Sequence, residues 1–215
     1  MPVSIFSHQA PGLILKIKYP NNFDGTALCF STLVPDLILF IDPFLPFSFR
    51  YLTHSLLGLF IYTIPLTLIL TILFCSYIGP FLANLGKKDI WIYKPLKYFG
   101  IDEWDSLKKK KYNRRYFIVA SYSSFIGGLT HLLLDLLAHE YIHILFPIIM
   151  QSPDFLLYSI IDFGTFYIGF IQIDANLPVY QLIWYIESLI TFIIALYLLR
   201  YIKKHNLISR WYGES

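Results

Sequence analysis

Between Ser55 and Leu82 the chain runs for 28 residues without a charged side chain. About 20 apolar residues suffice to cross the hydrocarbon core of a bilayer. A helix on the surface of a soluble domain keeps one polar face toward water, and this stretch has none. It therefore forces a membrane architecture and sets the frame for every other segment. Composition agrees: 56% of residues are hydrophobic and 14% charged, against about 25% charged in an ordinary soluble domain. Pro65 is expected to kink this span, and Gly79-Pro80 to end it.

Other apolar runs extend the frame. Tyr116 to Met150 is apolar, and Val179 to Leu199 is a final spanning candidate bearing Glu187. Thr26 to Phe49 is interrupted by Pro35-Asp36 and Asp42-Pro43, so it reads as a broken or re-entrant helix. The stretch 151–178 lacks Lys and Arg, and its apolar, aromatic centre suits an external loop or interfacial segment. The expected fold is all-α: an integral membrane helical bundle of about four to five membrane segments. One of these is broken or re-entrant, and a single domain covers residues 1–215. The start M-P-V-S-I-F-S-H lacks the basic region and cleavage site of a secretory signal. Cys29 and Cys75 lie in apolar runs and suggest neither a disulfide framework nor a CxxC metal site.

Charge supplies direction. Residues 83–115 hold ten of the seventeen Lys and Arg residues, and Arg200, Lys203, Lys204 and Arg210 follow the last span. The positive-inside rule puts both in the cytoplasm, with 151–178 outside and the chain in the cell membrane. Lys16 and Lys18 favour an inside N-terminus, whereas a role for His8 at an outer site would require the opposite. The sequence leaves both open. The K-K-K-K-Y-N-R-R run reads as a solvated stop signal that also attracts anionic lipid headgroups. A net charge of +3 does not suggest nucleic acid. The partners expected are membrane lipids, with a homo-oligomer left open.

Inside Tyr116–Met150 lies T-H-L-L-L-D-L-L-A-H-E, residues 130–140. His131, Asp135 and His139 are spaced four apart, which stacks them on one face of a helix. Two imidazoles and a carboxylate on one face are a divalent-metal ligand set. Ionisable groups facing lipid are costly. A purely structural network would need cationic partners, and no Lys or Arg lies in this apolar run. Asp36 has the same shortage, and a metal ion would supply the missing charge to both. His8 and His54 lie near apolar segments and are further candidates; His143 reads as a weaker one. Glu140 is about 180° from His131 around a helix, so it is expected to face away. Gly127-Gly128 would let another backbone approach. Thr53 and Thr130 could orient a neighbouring ligand or a water. Asp162 and Glu187 read as structural partners of hydroxyls or of each other.

Four ordered stretches, M-P-V-S-I-F-S-H, V-P-D, T-H-S-L-L-G and G-G-L-T-H-L-L-L-D-L-L-A-H, carry a resemblance. They resemble a family of prokaryotic integral-membrane proteins catalogued as a domain of unknown function. That family is similar to membrane-bound metal-dependent hydrolases, and distantly to the zinc-dependent phospholipase C and P1 nuclease group. The resemblance covers residue 1 to about 145, and more loosely the last helix. It implies His8, Asp36, His54, His131, Asp135 and His139 as ligands of a zinc centre. Ala138 departs from it, since relatives often carry Thr there. The polar residue that some relatives carry in the last helix is displaced, with Gln181, Glu187 or neither in its place.

The expected function is a membrane-bound metal-dependent hydrolase of phosphoester or lipid substrates. A divalent metal, zinc by its imidazole content, would activate water. Asp36 and Asp135 are the candidate catalytic carboxylates, with Asp36 as general base. The alternatives are a non-enzymatic membrane protein that binds or transports an ion, and a membrane scaffold.

Overall fold

The computed structural model describes residues 8–46, 48–168 and 171–212, and their side chains outside 166–175. The Met1–Ser7 start and the Asp174 side chain lie outside that range. The chain opens with α1 (Gln9–Lys18) and α2 (Gly25–Ser31), joined by the Pro20-Asn21-Asn22 turn. Asp24 caps α2, its carboxylate accepting from the Ala27 amide at 2.8 Å. At 10 and 7 residues, these helices reach roughly 15 and 10 Å, against a hydrocarbon core of about 30 Å. Neither crosses. Next come α3 (Val34–Leu37), two 3-10 turns at Ile38–Phe40 and Asp42–Phe44, and α4 (Arg50–Thr53). The interrupted Thr26–Phe49 run is thus broken, as its prolines require.

Helix α5 (Leu56–Gly86) is 31 residues long. It widens into π turns at Leu59–Thr63 and Phe74–Ile78, just ahead of Pro65 and Pro80. Proline cannot donate to the carbonyl four residues back and its ring crowds that carbonyl. The π turn absorbs the misfit. Gly79-Pro80 therefore deforms the helix, where the sequence suggested a stop.

The basic segment after α5 folds as α6 (Lys94–Tyr98) and a 3-10 stretch, Ile101–Lys109. Helix α7 (Arg114–Ala138) starts at Asn113, whose side chain accepts from the Tyr116 amide at 2.9 Å. A strap follows: β1 (Tyr141–Ile142) pairs antiparallel with β2 (Met150–Gln151). Helix α8 (Asp154–Leu157) leads into β3 (Ser159–Ile168), paired antiparallel with β4 (Ile171–Pro178). Helix α9 (Val179–Lys204) and α10 (Leu207–Tyr212) complete the chain. The chain is mostly helical, but 139–178 corrects the all-α expectation. Its β-branched and aromatic run from Ser159 suits a strand, and Gly164 takes a positive φ of 73° within it.

Helices α5, α7 and α9 are each long and apolar enough to cross a membrane. Their outer faces expose Phe60, Ile69, Ile118, Leu133, Leu189 and Ile193, as a lipid-facing surface does. The ends of the bundle differ in charge. Lys203 Nζ lies 3.0 Å from Asp102 and 2.8 Å from Glu103, and Arg200 donates to the Tyr98 carbonyl at 2.9 Å. Segment 83–115 and the end of α9 therefore share one end.

Helix α2 lies along α7 in the same direction. The Asp24 amide donates to Ser123 Oγ at 3.0 Å, and farther along Leu28 and Ser31 meet Gly127. A Cβ on Gly127 would strike Ser31 Oγ and come within 2.7 Å of the Leu28 carbonyl oxygen. The missing side chain lets the two backbones touch and carries Asp36 up to the level of His131. At the start of α2, Asp24 Oδ2 meets buried Lys110 Nζ at 2.7 Å. Burial alone would raise the Asp24 carboxyl; the Lys110 ammonium and hydrogen bonds from Thr26 and Ala27 hold it below its usual value.

Candidate metal centre

Five elements deliver ionisable side chains to the end of the bundle opposite the basic segment. Helix α7 supplies His131 and Asp135 on adjacent turns. The T-H-S-L-L-G corner supplies His54. There Ser55 Oγ accepts from the Gly58 amide at 3.0 Å and donates to the Leu52 carbonyl at 2.6 Å. A Cβ at Gly58 would collide with that carbonyl, so the corner needs glycine to turn this tightly. Helix α3 carries Asp36, and His8 sits at the head of α1.

The donors interlock. His131 Nε2 is 3.2 Å from Asp135 Oδ2 and 3.9 Å from Asp36 Oδ1. His54 Nε2 is 3.3 Å from Asp36 Oδ1 and 3.7 Å from Asp135 Oδ2. Asp135 Oδ1 is 3.7 Å from His8 Nε2 and 3.6 Å from His139 Nε2. His8 and His131 are the deepest, at 1% and 0% exposed. Burial, then neighbouring His131, pushes the His8 imidazole down to about 4. It therefore stays neutral, the form that binds metal. All six residues singled out in the sequence are brought together.

Three details differ from the helical-face picture. Helix α7 ends at Ala138, and His139 is extended, with φ −133° and ψ 148°. The strap pulls it off the helix: Ser152 Oγ donates to the His139 carbonyl at 2.6 Å. Its imidazole still folds back to Asp135. Because the helix stops early, Glu140 is redirected into the wall of a cavity beside the centre. His143 also lines that wall, with its ring against Tyr51 at 4.3 Å between centroids.

Glu187 belongs to the cluster, which the sequence did not specify. Its Oε1 lies 3.6 Å from His8 Nδ1. The usable signal was a carboxylate in the upper half of an apolar span. Asp162, its suggested partner, instead accepts from the Gly164 amide at 2.8 Å within the hairpin. Gln181 turns to Tyr185 at 3.5 Å.

The hydrogen-bond pattern is incomplete at this cluster. His8 Nδ1, Asp36 Oδ2, both ring nitrogens of His131, Asp135 Oδ2 and Glu187 Oε1 are buried without a hydrogen-bond partner. Buried polar atoms are nearly always satisfied, so these donors and acceptors match a cation centre. His8, Asp36 and His131, and likewise His54, His131 and Asp135, converge closely enough to hold a metal ion. A second contact holds one ring in place, His54 Nδ1 facing the Arg50 carbonyl at 3.0 Å, while Glu187 Oε1 stands 3.6 Å behind His8 Nδ1. Such outer partners are the usual support of metal-binding histidines.

A cavity of about 280 Å³ opens beside His54, Asp135 and His139. Leu132, Leu136 and Ile142 give it apolar wall, and Arg50, Glu140 and Tyr180 give it polar wall. Asp36 is not among its lining residues; it sits beside His54, whose Nε2 is 3.3 Å from its Oδ1.

The sequence profile described as Domain of unknown function (DUF4184) matches residues 1–211. No curated protein and no solved structure matches the chain.

Proposed function

We propose that this chain, which belongs to the DUF4184 family, is a membrane-bound metal-dependent hydrolase of phosphoester or lipid substrates. The observation that carries the reading is the set of buried, unpartnered His and Asp atoms converging beside a cavity. Four imidazoles favour zinc over magnesium. Bound metal would supply Lewis acidity and a bound water of lowered pKa. Arg50 supports an anionic substrate, since it lines the cavity. Glu140 is the cavity-wall carboxylate outside the donor cluster and takes the role of general base first given to Asp36. Leu132, Leu136 and Ile142 suit an acyl chain.

We read α5, α7 and α9 as crossing the cell membrane, with α1 and α2 as a re-entrant helical hairpin. The basic segment and C-terminus then face the cytoplasm, and the centre opens to the outer leaflet. In this reading His8 lies on the outer side, the alternative that an outer site requires.

The experiment is elemental analysis of full-length protein purified without chelator, followed by assay of phosphate-ester hydrolysis. Zinc bound and hydrolysis abolished by chelation are expected. A folded but metal-free protein would sink the proposal.

A second reading, an ion-handling membrane protein, has one observation in its favour. Thr63, Thr67 and Thr71 are 0% exposed, and their hydroxyls lack partners. They form a column along α5 between Leu59, which abuts Gly128, and Cys75, whose Sγ is 3.7 Å from Thr26. Metal-dependent ion flux in liposomes without hydrolysis would favour it.

A further inference from the structure

We propose that a cavity at the basic end of the bundle is a headgroup site for an anionic glycerophospholipid. The inference rests on the reading of α7 as a membrane span. It is independent of the metal centre, which lies at the other end.

This second cavity, of about 330 Å³, lies between the Pro20-Asn21-Asn22 turn, the start of α7 and α10. Lys109, Lys110, Lys111 and Arg115 line it, and among the described residues Asp24 is the one carboxylate on its wall. That carboxylate is already engaged, since Lys110 Nζ stands 2.7 Å from Asp24 Oδ2. A further ammonium is buried close by. Lys16 is 5% exposed, and its Nζ donates to the Pro20 and Phe23 carbonyls at 2.6 and 2.8 Å. Lys16 and Lys110 stand over the same Tyr212 ring, at 5.4 and 4.9 Å from its centroid. Among the described residues, two buried ammonium groups here share one buried carboxylate. A low-dielectric interior opposes such an excess of one sign, and an anion in the adjoining cavity offsets it. Tyr116, whose buried hydroxyl lacks a hydrogen-bond partner, lines the same cavity.

Position selects a lipid over a soluble anion. Arg115 stands in the first turn of α7, and Val119, one turn on, also lines the cavity. Arg115, Val119 and Tyr122 are spaced by four and three, so they share one helix face. Tyr122 is 37% exposed and meets the Phe23 ring edge-on, at 5.7 Å between centroids. The cationic wall thus passes into an apolar helix face that continues into the span. The Arg115 guanidinium offers a fork of donors to a phosphodiester, whose acyl chains would then run along Val119 and Tyr122. Trp211 lines the cavity at the level where amphipathic aromatic rings settle in a membrane. Basic pockets between spans on the cytoplasmic side take anionic headgroups in this way.

The test is lipid retention by full-length protein in neutral detergent, read by native mass spectrometry. The probes are phosphatidylglycerol and phosphatidylcholine. Wild type is expected to keep about one phosphatidylglycerol per chain and to discriminate against phosphatidylcholine. Lys111→Gln with Arg115→Gln is expected to bind phosphatidylglycerol about 30-fold more weakly, as loss of two cations beside an anionic headgroup implies. Both side chains are exposed, so the fold withstands their replacement. Lys94→Gln with Lys108→Gln removes as much charge from the same segment without touching the cavity, and is expected to match wild type. Unchanged binding by the first variant, equal loss in both, or equal retention of the two lipids overturns the site. Displacement of the lipid by excess inorganic phosphate overturns a lipid occupant in favour of a soluble anion. Recovery of the chain in the soluble fraction of cells overturns the span and the site with it, whereas the zinc content bears on the metal centre alone.

Discussion

His54 presents Nε2 to Asp36 Oδ1 at 3.3 Å while its Nδ1 faces the Arg50 carbonyl at 3.0 Å. A carbonyl oxygen only accepts, so Nδ1 carries the hydrogen. In the neutral ring the Nε2 lone pair then points at a carboxylate, which repels it unless a cation lies between them. Replacing His54 by Ala is expected to weaken zinc binding by at least ~100-fold, beyond the ~10–100-fold typical of an outer partner. Competitive titration against a chromogenic chelator measures it, and unchanged affinity would remove His54 from the centre.

Glu187→Gln keeps size and hydrogen-bonding capacity but removes the charge behind His8. Metal affinity should fall by ~10–100-fold. Asp162→Asn, out in the hairpin, should leave affinity alone. Equal effects from the two would argue for a general electrostatic influence in place of the His8 contact.

At the cavity wall, Arg50→Gln is expected to raise KM for an anionic phosphoester by ~10–100-fold, as loss of a charge-assisted hydrogen bond of about 1.5–3 kcal/mol implies. Zinc content should not change. A variant that keeps wild-type KM would exclude Arg50 from substrate binding.

Gly127→Ala inserts a methyl where Ser31 and the Leu28 carbonyl already sit. Overpacking of this kind costs typically about 1–3 kcal/mol. Thermal unfolding in detergent should shift down, and zinc affinity should fall with it, because α2 leads directly into α3, which carries Asp36. Full retention of both would show that the helices can separate freely.

Lys110→Met leaves Asp24 buried and unpaired, a loss of about 3–5 kcal/mol by analogy with other buried pairs. Adding Asp24→Leu should recover much of it. The pH window follows from the signs. The depressed Asp24 carboxyl contributes stability above its unfolded value of about 3.9, lost as pH falls through the lower folded value. The Lys110 ammonium is raised against the cost of burial, chiefly by Tyr212 and Asp24. Its contribution is present below about 10.4 and lost only as pH rises through the folded value. The pair should therefore stabilise the fold evenly across neutral pH, and a neutral-pH dependence that vanishes in Lys110→Met would contradict it.

Period and charge made the frame legible. The uncharged run after Ser55, the basic 83–115 segment and the i, i+4 spacing of His131 and Asp135 are local patterns, and the fold reproduces each. Long-range geometry was not legible. His139 is extended because Ser152, thirteen residues later, takes its carbonyl. Glu187 reaches His8 only because α1 and α9 pack along each other, with Ala10 and Leu13 against Ala195 and Ile202. Pro80 reads as a stop until a π turn is seen to absorb it.

The distance in sequence between His8 and Glu187 also sets an order of events. Their contact joins the head of the first helix to the last long helix, near opposite ends of the chain. His8 cannot be seated until α9 has entered the bundle beside it. On the proposed reading, the His8–Glu187 contact forms only once α9 is present, so metal uptake would report on a bundle that includes it. A chain halted before Val179 would expose its imidazoles without assembling a competent site.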